Sequence, residues 1–373
     1  MKVRHIHLRE FKRFDSLSIE VCNSLTDEIA EQFLILGDNG SGKTTVLQAV
    51  ALCLSMAAGV TQSVDRFHWL GWVPGRYRRW GNPVVELQVH FLPEEIEATR
   101  RAARQWHRAF GKGPFVEPGD APVVTLRLDG ERCEADTAAA KYQFRGRFYA
   151  RRLLNLDPAA RDLFADLPGV FWFDQFRNLA SPVPAPQSGS GENGREELGR
   201  DRQDDENGGR VAFDVGVARL REHLNRWRLA QLAGGPRPHD YLLEIEDHFK
   251  RIFPDRSFSA PEPMYRGGAP TPADYYFLIS DGHRTYDIEE MSAGEQSVFP
   301  LLFEFVRQQI RNSVVLVDEI DLNLHPPLAQ ALLAALPALG PGCQFLLTTH
   351  SDAVSSVVSE NEICRLAGGR LCL

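Results

Sequence analysis

The chain has 373 residues, 43% of them apolar, and a net charge of −8. That length supplies one large domain or two modest ones with a real core, and the acidic balance excludes a uniformly basic nucleic-acid binder. The balance is uneven: residues 61–161 carry seventeen Lys and Arg against twelve Asp and Glu, so the acidic excess falls mainly after them.

Residues 2–9 alternate apolar and polar and predict a half-buried strand. A turn at Phe11–Asp15 and a second strand over Leu17, Ile19 and Val21 follow. Phe33 to Leu36 is a short apolar run, and Val46 to Met56 is almost wholly apolar or small, as a buried helix would be. Between them lies GDNGSGKTT, Gly37 to Thr45. Residues 59–82 read as irregular, with Arg66, Phe67, Trp69, Trp72, Arg76, Tyr77, Arg78, Arg79 and Trp80 interleaved. Strands are predicted over 84–91 and 123–128, with a helix over 93–110 that carries Arg100, Arg101, Arg104 and Arg108. Arg145, Arg147, Arg151 and Arg152 continue the basic stretch, and an apolar strand over 169–174 leads to Gln175. Residues 181–210 are rich in Pro, Gly, Ser and charge and predict a disordered linker. Helices over 212–232 and 241–253, a hairpin around Asp281-Gly282, and a helix opened by MSAGEQ come next. The apolar strand Val314 to Val317 ends in Asp318-Glu319, a helix runs from Pro326 to Leu336, and the strand Phe345 to Thr349 ends in His350. Residues 362–366 and 370–373 are predicted to close the sheet, leaving no room for a further catalytic domain.

Gly37, Gly42, Lys43 and Thr44 occupy the fixed positions of G-x-x-x-x-G-K-[ST], in the strand–loop–helix context of a phosphate-binding loop. Glycines let the N–H groups of Gly37, Asp38, Asn39, Gly40, Ser41 and Gly42 turn inward, and the helix start at Lys43, Thr44 and Thr45 adds its positive dipole end. Lys43 can reach the β- and γ-phosphates of a nucleotide, and the Thr44 hydroxyl can ligate Mg²⁺. Strand ends that carry polar groups build one crevice in an α/β sheet. There Asp318 can hold Mg²⁺ with Thr44, and Glu319 can act as base toward the attacking water. Gln175 fits either a fourth strand-end group or an ordinary surface glutamine.

Together these motifs resemble an SMC/RecF-like ABC-class ATPase, among small bacterial AAA-type proteins related to OLD-family ATPase domains. MSAGEQ is similar to the ABC signature, with Ala293 in place of its first glycine. VVLVDEID resembles Walker B, DLNLHP the D-loop region, TTHS the switch-histidine motif, and HLREFKRF the opening strand and turn. Residues 1–58 and 286–352 carry the resemblance; the middle does not. It implies an α/β fold of the ABC P-loop type, with a mixed central sheet flanked by helices, N-terminal antiparallel strands and an inserted, mainly helical subdomain. The corresponding division is an N-terminal lobe over 1–180, the linker 181–210, a helical insertion over 211–265 and a C-terminal lobe over 266–373. It further implies a homodimer that sandwiches two ATPs. Lys43, Thr44, Asp318, Glu319 and His350 act from one chain, while Ser292 and Gly294 contact the γ-phosphate bound by the other. Gln175 is then the residue linking the metal to the insertion, and Arg13 the residue near the adenine base.

The basic, aromatic stretch suits a phosphate backbone and stacked bases, or else a solvated face over core tryptophans. ATP hydrolysis that acts on or senses DNA, in anti-phage defence or repair beside a separate nuclease or toxin effector, is the leading expectation. An ATP-dependent scaffold for a protein partner is the alternative. A transporter cassette is disfavoured, because no apolar run has bilayer-spanning length. The N-terminus has no signal-peptide apolar region, and Cys22, Cys53, Cys133, Cys343, Cys364 and Cys372 show no C-x-x-C spacing. A cytoplasmic protein with ordinary thiols and no membrane contact is expected.

Overall fold

The computed structural model describes residues 1–69, 71–111, 115–175, 205–234, 239–264 and 271–366, without the side chains of 205–218. The chain divides into two compact units, Met1–Gln175 with Gln308–Leu373, and Phe176–Arg307.

The first unit opens with β1 (Lys2–Phe11), β2 (Phe14–Glu20), β3 (Gln32–Leu36) and α1 (Lys43–Ala57). It continues with β4 (Val84–His90), α2 (Pro93–Phe110), β5 (Val123–Asp129), β6 (Arg132–Ala135), α3 (Ala138–Tyr142), α4 (Gly146–Leu154) and β7 (Val170–Phe173). The second unit holds α5 (Asp205–Leu232), α6 (Tyr241–Ile252), β8 (Ser257–Phe258), β9 (Glu262–Pro263), β10 (Tyr275–Tyr276), β11 (Leu278–Ser280), β12 (Thr285–Asp287) and α7 (Ala293–Gln308). The chain then returns to the first with β13 (Val314–Val317), α8 (Pro326–Leu339), β14 (Gln344–Thr349), α9 (Asp352–Ser355) and β15 (Ile363–Arg365).

Two five-stranded sheets make the first unit: antiparallel β2-β1-β4-β5-β6, and β15-β3-β14-β13-β7, whose pairings are all parallel. β13 and β14 are buried along their whole length, as central parallel strands covered on both faces should be. Helix α1 has almost no polar face and contacts strands of both sheets, so it fills the space between them. Buried Gln344 ties the sheets together: its amide accepts from Val3 N–H at 2.7 Å and donates to the carbonyls of Val3 at 2.8 Å and Ala30 at 3.1 Å. Arg147, also buried, spends its guanidinium on four main-chain carbonyls, those of Leu167, Phe164, Gln308 and Gln309.

In the second unit β12-β11-β8 form a small sheet, and Phe249, Phe258, Phe277 and Phe299 pack around it with ring centroids 5.0–6.3 Å apart. Asp281 closes the β11–β12 loop by accepting from the N–H groups of His283 and Arg284.

Several boundaries differ from those expected. The first turn is only Lys12-Arg13, with Lys12 at φ 54°, because β1 runs on to Phe11. Strand β6 is not among the expected elements, although Asp129-Gly130 before it is a hairpin signal and Gly130 takes φ 57°. Helix α5 starts at Asp205, inside the segment expected to be linker; residues 181–204 lie outside the described residues, as do 370–373. In the aromatic stretch Phe67, Trp69, Trp72 and Tyr77 are core side chains, with Phe67 edge-on to Trp72 at 5.1 Å. Cys22, Cys53, Cys133, Cys343 and Cys364 are free thiols. No helix among the described residues is long and apolar enough to cross a membrane.

Candidate nucleotide site

Parallel register aligns the carboxyl ends of four strands along one sheet edge. Thr349 pairs with Leu36, and Val317 pairs with both Leu347 and Phe173. The segments that follow carry the predicted groups: Gly37–Thr45 after β3, Asp318-Glu319 after β13, His350 after β14 and Gln175 just past β7.

The loop after β3 turns through Gly40 at φ 77° and Gly42 at φ 102°, left-handed conformations that glycine adopts without a Cβ penalty. A Cβ on Gly42 would overlap the Phe14 ring and the Arg13 side chain, so the β1–β2 hairpin tip is packed on the loop and Arg13 stands beside it. Asp38, Asn39 and Gly40 are exposed; Ser41 is buried with its hydroxyl unbonded among the described residues. Lys43 folds back over the loop, donating to the carbonyls of Gly37 at 2.7 Å and Asp38 at 3.1 Å. Burial pushes the Lys43 ammonium below its usual pKa, while the charges of Glu319, Asp318, Asp38 and Asp321 oppose that shift.

The carboxylate of Asp318 is fully buried and accepts the Thr44 hydroxyl at 2.8 and 3.1 Å. It also accepts the Thr348 hydroxyl at 2.6 Å. That same hydroxyl accepts the N–H of Glu319 at 2.8 Å. Glu319 is half-buried at φ 48°, a left-handed position for a residue that has a Cβ. Thr349 donates to Asp321 at 2.7 Å, fastening the loop after Glu319 to the strand that precedes His350. His350 is exposed and Gln175 half-buried. A hydroxyl and a carboxylate in contact form an all-oxygen donor pair that suits Mg²⁺. Among the described residues no three His, Cys, Asp or Glu side chains gather into a group that could hold a metal ion.

Ser292 and Gly294 belong to the second unit. Ser292 is exposed at the start of α7, where its hydroxyl donates to Glu295 Oε2 at 2.7 Å and its N–H donates to the same oxygen at 2.8 Å. The other oxygen, Glu295 Oε1, accepts from Arg256 at 2.6 Å and from the Tyr286 hydroxyl at 2.7 Å. Burial raises the Glu295 pKa, but the hydrogen bonds from Tyr286, Arg256 and Ser292 outweigh it and leave the carboxyl below its ordinary value.

The surroundings of the arginines differ from those of an open basic face. Arg100 pairs with Glu117 and Asp120, Arg104 with Glu117 and Glu97, Arg101 with Asp166, and Arg78 with Glu131. Arg76, Arg79, Trp80 and Arg108 remain on the surface, with the Arg79 guanidinium 5.3 Å from the Trp80 ring centre. Thr348 and the Arg256–Tyr286 pair are absent from the residues that sequence reasoning points to. The two threonines of TTHS are an available signal, whereas nothing local links Arg256 to residue 295.

Residues 151–356, more than half of the chain, match a family model described as "AAA domain, putative AbiEii toxin, Type IV TA system", and residues 5–67 match a second AAA-domain family. "Retron Vc95 probable ATPase" of Vibrio cholerae serotype O1 biovar El Tor is 21% identical over 97% of this chain and 73% of its own length. "Retron Ec83 probable ATPase" of Escherichia coli is 29% identical over 25% of this chain and 19% of its own length. Among solved structures, the SMC head bound to the C-terminal winged-helix domain of ScpA covers 96% of this chain and 92% of its own, at 14% identity and a TM-score of 0.46. The SMC head domain from Thermotoga maritima covers 96% of this chain and 93% of its own, at 13% identity and a TM-score of 0.44. The phosphate loop and the strand-end carboxylates thus sit in a chain that belongs to the AAA-domain family matched over residues 151–356, and the chain is an ATPase.

Proposed function

We propose that two copies of this ATPase close on two ATP molecules and reopen on hydrolysis, as the ATP-driven sensor of a defence or DNA-repair system whose effector is a separate nuclease or toxin. The observation that supports this best is the linkage of Thr44, Asp318, Thr348 and Glu319 by hydrogen bonds of 2.6–3.1 Å at the ends of adjacent parallel strands. In this reading the N–H groups from Gly37 to Thr45 hold the triphosphate, and the unbonded Ser41 hydroxyl finds an acceptor there. Lys43 leaves the carbonyls of Gly37 and Asp38 for phosphate oxygens. Thr44 and Asp318, in contact at 2.8–3.1 Å, would hold Mg²⁺ together with Gln175, and a bound ion would supply charge neutralisation for phosphoryl transfer. Glu319 accepts the proton of the attacking water, and His350 acts on the γ-phosphate from the neighbouring strand end. Arg13, packed against the loop at Gly42, would be the residue near the adenine base. Ser292 and Gly294 serve the γ-phosphate of a second copy, for which the solvent-facing Ser292 is suited.

The matched family is described by a putative toxin of a type IV TA system and two relatives are named retron probable ATPases, and it is on these names that the defence role rests. Contact with DNA is a further part of the proposal, supported by the exposed group of Arg76, Arg79 and Trp80.

Glu319→Gln tests the reading. The variant should still bind ATP but lose turnover by about 100- to 10,000-fold, the usual worth of a positioned base. With ATP it should also accumulate as a dimer in light scattering, because the trans contacts form and are not released. Wild-type turnover in the variant removes Glu319 from the chemistry, and a strict monomer that hydrolyses ATP rejects the two-chain site. A wild-type protein that binds ATP without turnover would favour the scaffold.

A further inference from the structure

Thr348 is fully buried at the second-to-last position of β14, next to the β13 end that carries both carboxylates. Three successive residues of the neighbouring segment are fastened to it. Its hydroxyl donates to Asp318 Oδ1 at 2.6 Å, accepts the Glu319 N–H at 2.8 Å, and its own carbonyl accepts the Ile320 N–H at 3.0 Å. A hydroxyl has one proton to donate, and here it goes to Asp318, while a lone pair accepts from Glu319. One hydroxyl thus holds both residues. The second bond falls on the peptide at which the chain enters the left-handed conformation of Glu319, φ 48°. Such a backbone persists only where its surroundings over-determine it.

We infer that Thr348 is a positioning residue for hydrolysis, whose single hydroxyl sets the metal-facing Asp318 and the water-facing Glu319 in register with each other. The inference rests on the roles proposed above for those two carboxylates. Asp318 is held from two sides, by Thr44 on the phosphate-loop helix and by Thr348 on the adjacent strand. The Glu319 main chain is held from the strand side, so the aim of the base depends on Thr348. Valine at position 348 keeps the shape and the main-chain bond to Ile320, but can neither donate to Asp318 nor accept from Glu319. Serine keeps both hydroxyl bonds.

The test uses the full chain with Thr348→Val, Thr348→Ser and Glu319→Gln, measuring steady-state ATP hydrolysis, ATP affinity, the Mg²⁺ concentration for half-maximal rate, and melting temperature. Thr348→Val should lower kcat by about 10- to 100-fold, the usual cost of losing a residue that orients a metal ligand. Its KM for ATP should stay within about threefold of wild type, since the loop from Gly37 to Thr45 is untouched. The Mg²⁺ requirement should rise, and Thr348→Ser should recover most of the rate. Wild-type kcat in Thr348→Val, with Glu319→Gln inactive, overturns the inference and leaves the base assignment standing. Loss of rate, ATP binding and melting temperature together in both Val and Ser variants makes Thr348 merely structural and also overturns it. Normal turnover in Glu319→Gln overturns both readings at once.

Discussion

Lys12 departs from the exposed lysine that its place in the sequence suggests. It stands in the two-residue turn beside Arg13, where a lysine would ordinarily point to water. Instead its ammonium lies 4.4 Å from the Trp72 ring centre and donates to the buried Gln48 amide at 2.5 Å. Burial lowers its pKa from 10.5 to about 8. Below pH 8 both folded and unfolded chains carry the proton, and the folded chain bears the full cost of holding a half-buried charge. Between about pH 8 and 10.5 the unfolded chain binds more protons, so this group makes stability rise with pH across that window. Thermal melts of wild type and Lys12→Met at pH 7.5, 8.5 and 9.5 should therefore diverge less as pH increases. Parallel pH dependences in the two proteins would show that Lys12 does not titrate there.

At the scale of an element, the N-terminus of α7 is built around one buried carboxylate, that of Glu295. Ser292 and Glu295 cap it reciprocally, so the serine proposed to meet a second copy's γ-phosphate is held by a buried carboxylate. That carboxylate is in turn held by Arg256, which precedes β8, and Tyr286, on β12. Removing Arg256 would leave Glu295 buried without its cation. Arg256→Ala should cost about 1.5–3 kcal/mol, the range for a charge-assisted hydrogen bond, in urea unfolding at neutral pH. It should also lower turnover more than ATP affinity, because the phosphate loop is on another element. Glu295 titrates below its ordinary value in the folded chain, so its contribution is present above about pH 4.5 and is lost on acidification. The cost of Arg256→Ala should accordingly shrink toward pH 4. An unchanged urea midpoint at pH 7 would rule the network out as a support of the cap.

For the whole molecule, the informative quantity is where charge remains available. The chain is acidic, and Arg100, Arg101 and Arg104 of α2 are engaged by Glu97, Glu117, Asp120 and Asp166, while Arg108 stays on the surface. Exposed pairs of this kind add little stability, but they neutralise the field a phosphate backbone would feel. If nucleic acid is bound, Arg76 and Arg79 beside Trp80 should carry the binding. Arg76→Glu with Arg79→Glu should weaken affinity for purified DNA and reduce the slope of log affinity against log salt by about 2, near one unit for each phosphate that an arginine no longer neutralises. Reversing Arg100 and Arg104 should do much less. Failure of the wild-type chain to bind DNA or RNA with any salt dependence, with or without ATP, would reassign the surface to the effector protein.

Sequence alone determined the parts whose physics is local. A glycine loop with lysine and threonine lies between an apolar strand and an apolar helix, and the short apolar runs that stop at Asp318-Glu319 and at His350 are strands that end in polar groups. Those periodicities also carried most of the helices and the long strands. What lay beyond the sequence depended on the packing of distant segments. Whether Phe67, Trp69, Trp72 and Tyr77 stack on bases or fill a core is decided by the sheets that enclose them, because an aromatic side chain suits either place. The pairing of α2 arginines with Glu117 and Asp166 follows from which loops fold back against the helix. Gln344 bonding to Val3 and Thr348 to Asp318 join residues 341 and 30 positions apart. No window of sequence contains such bonds; only the register of parallel strands brings their partners within reach.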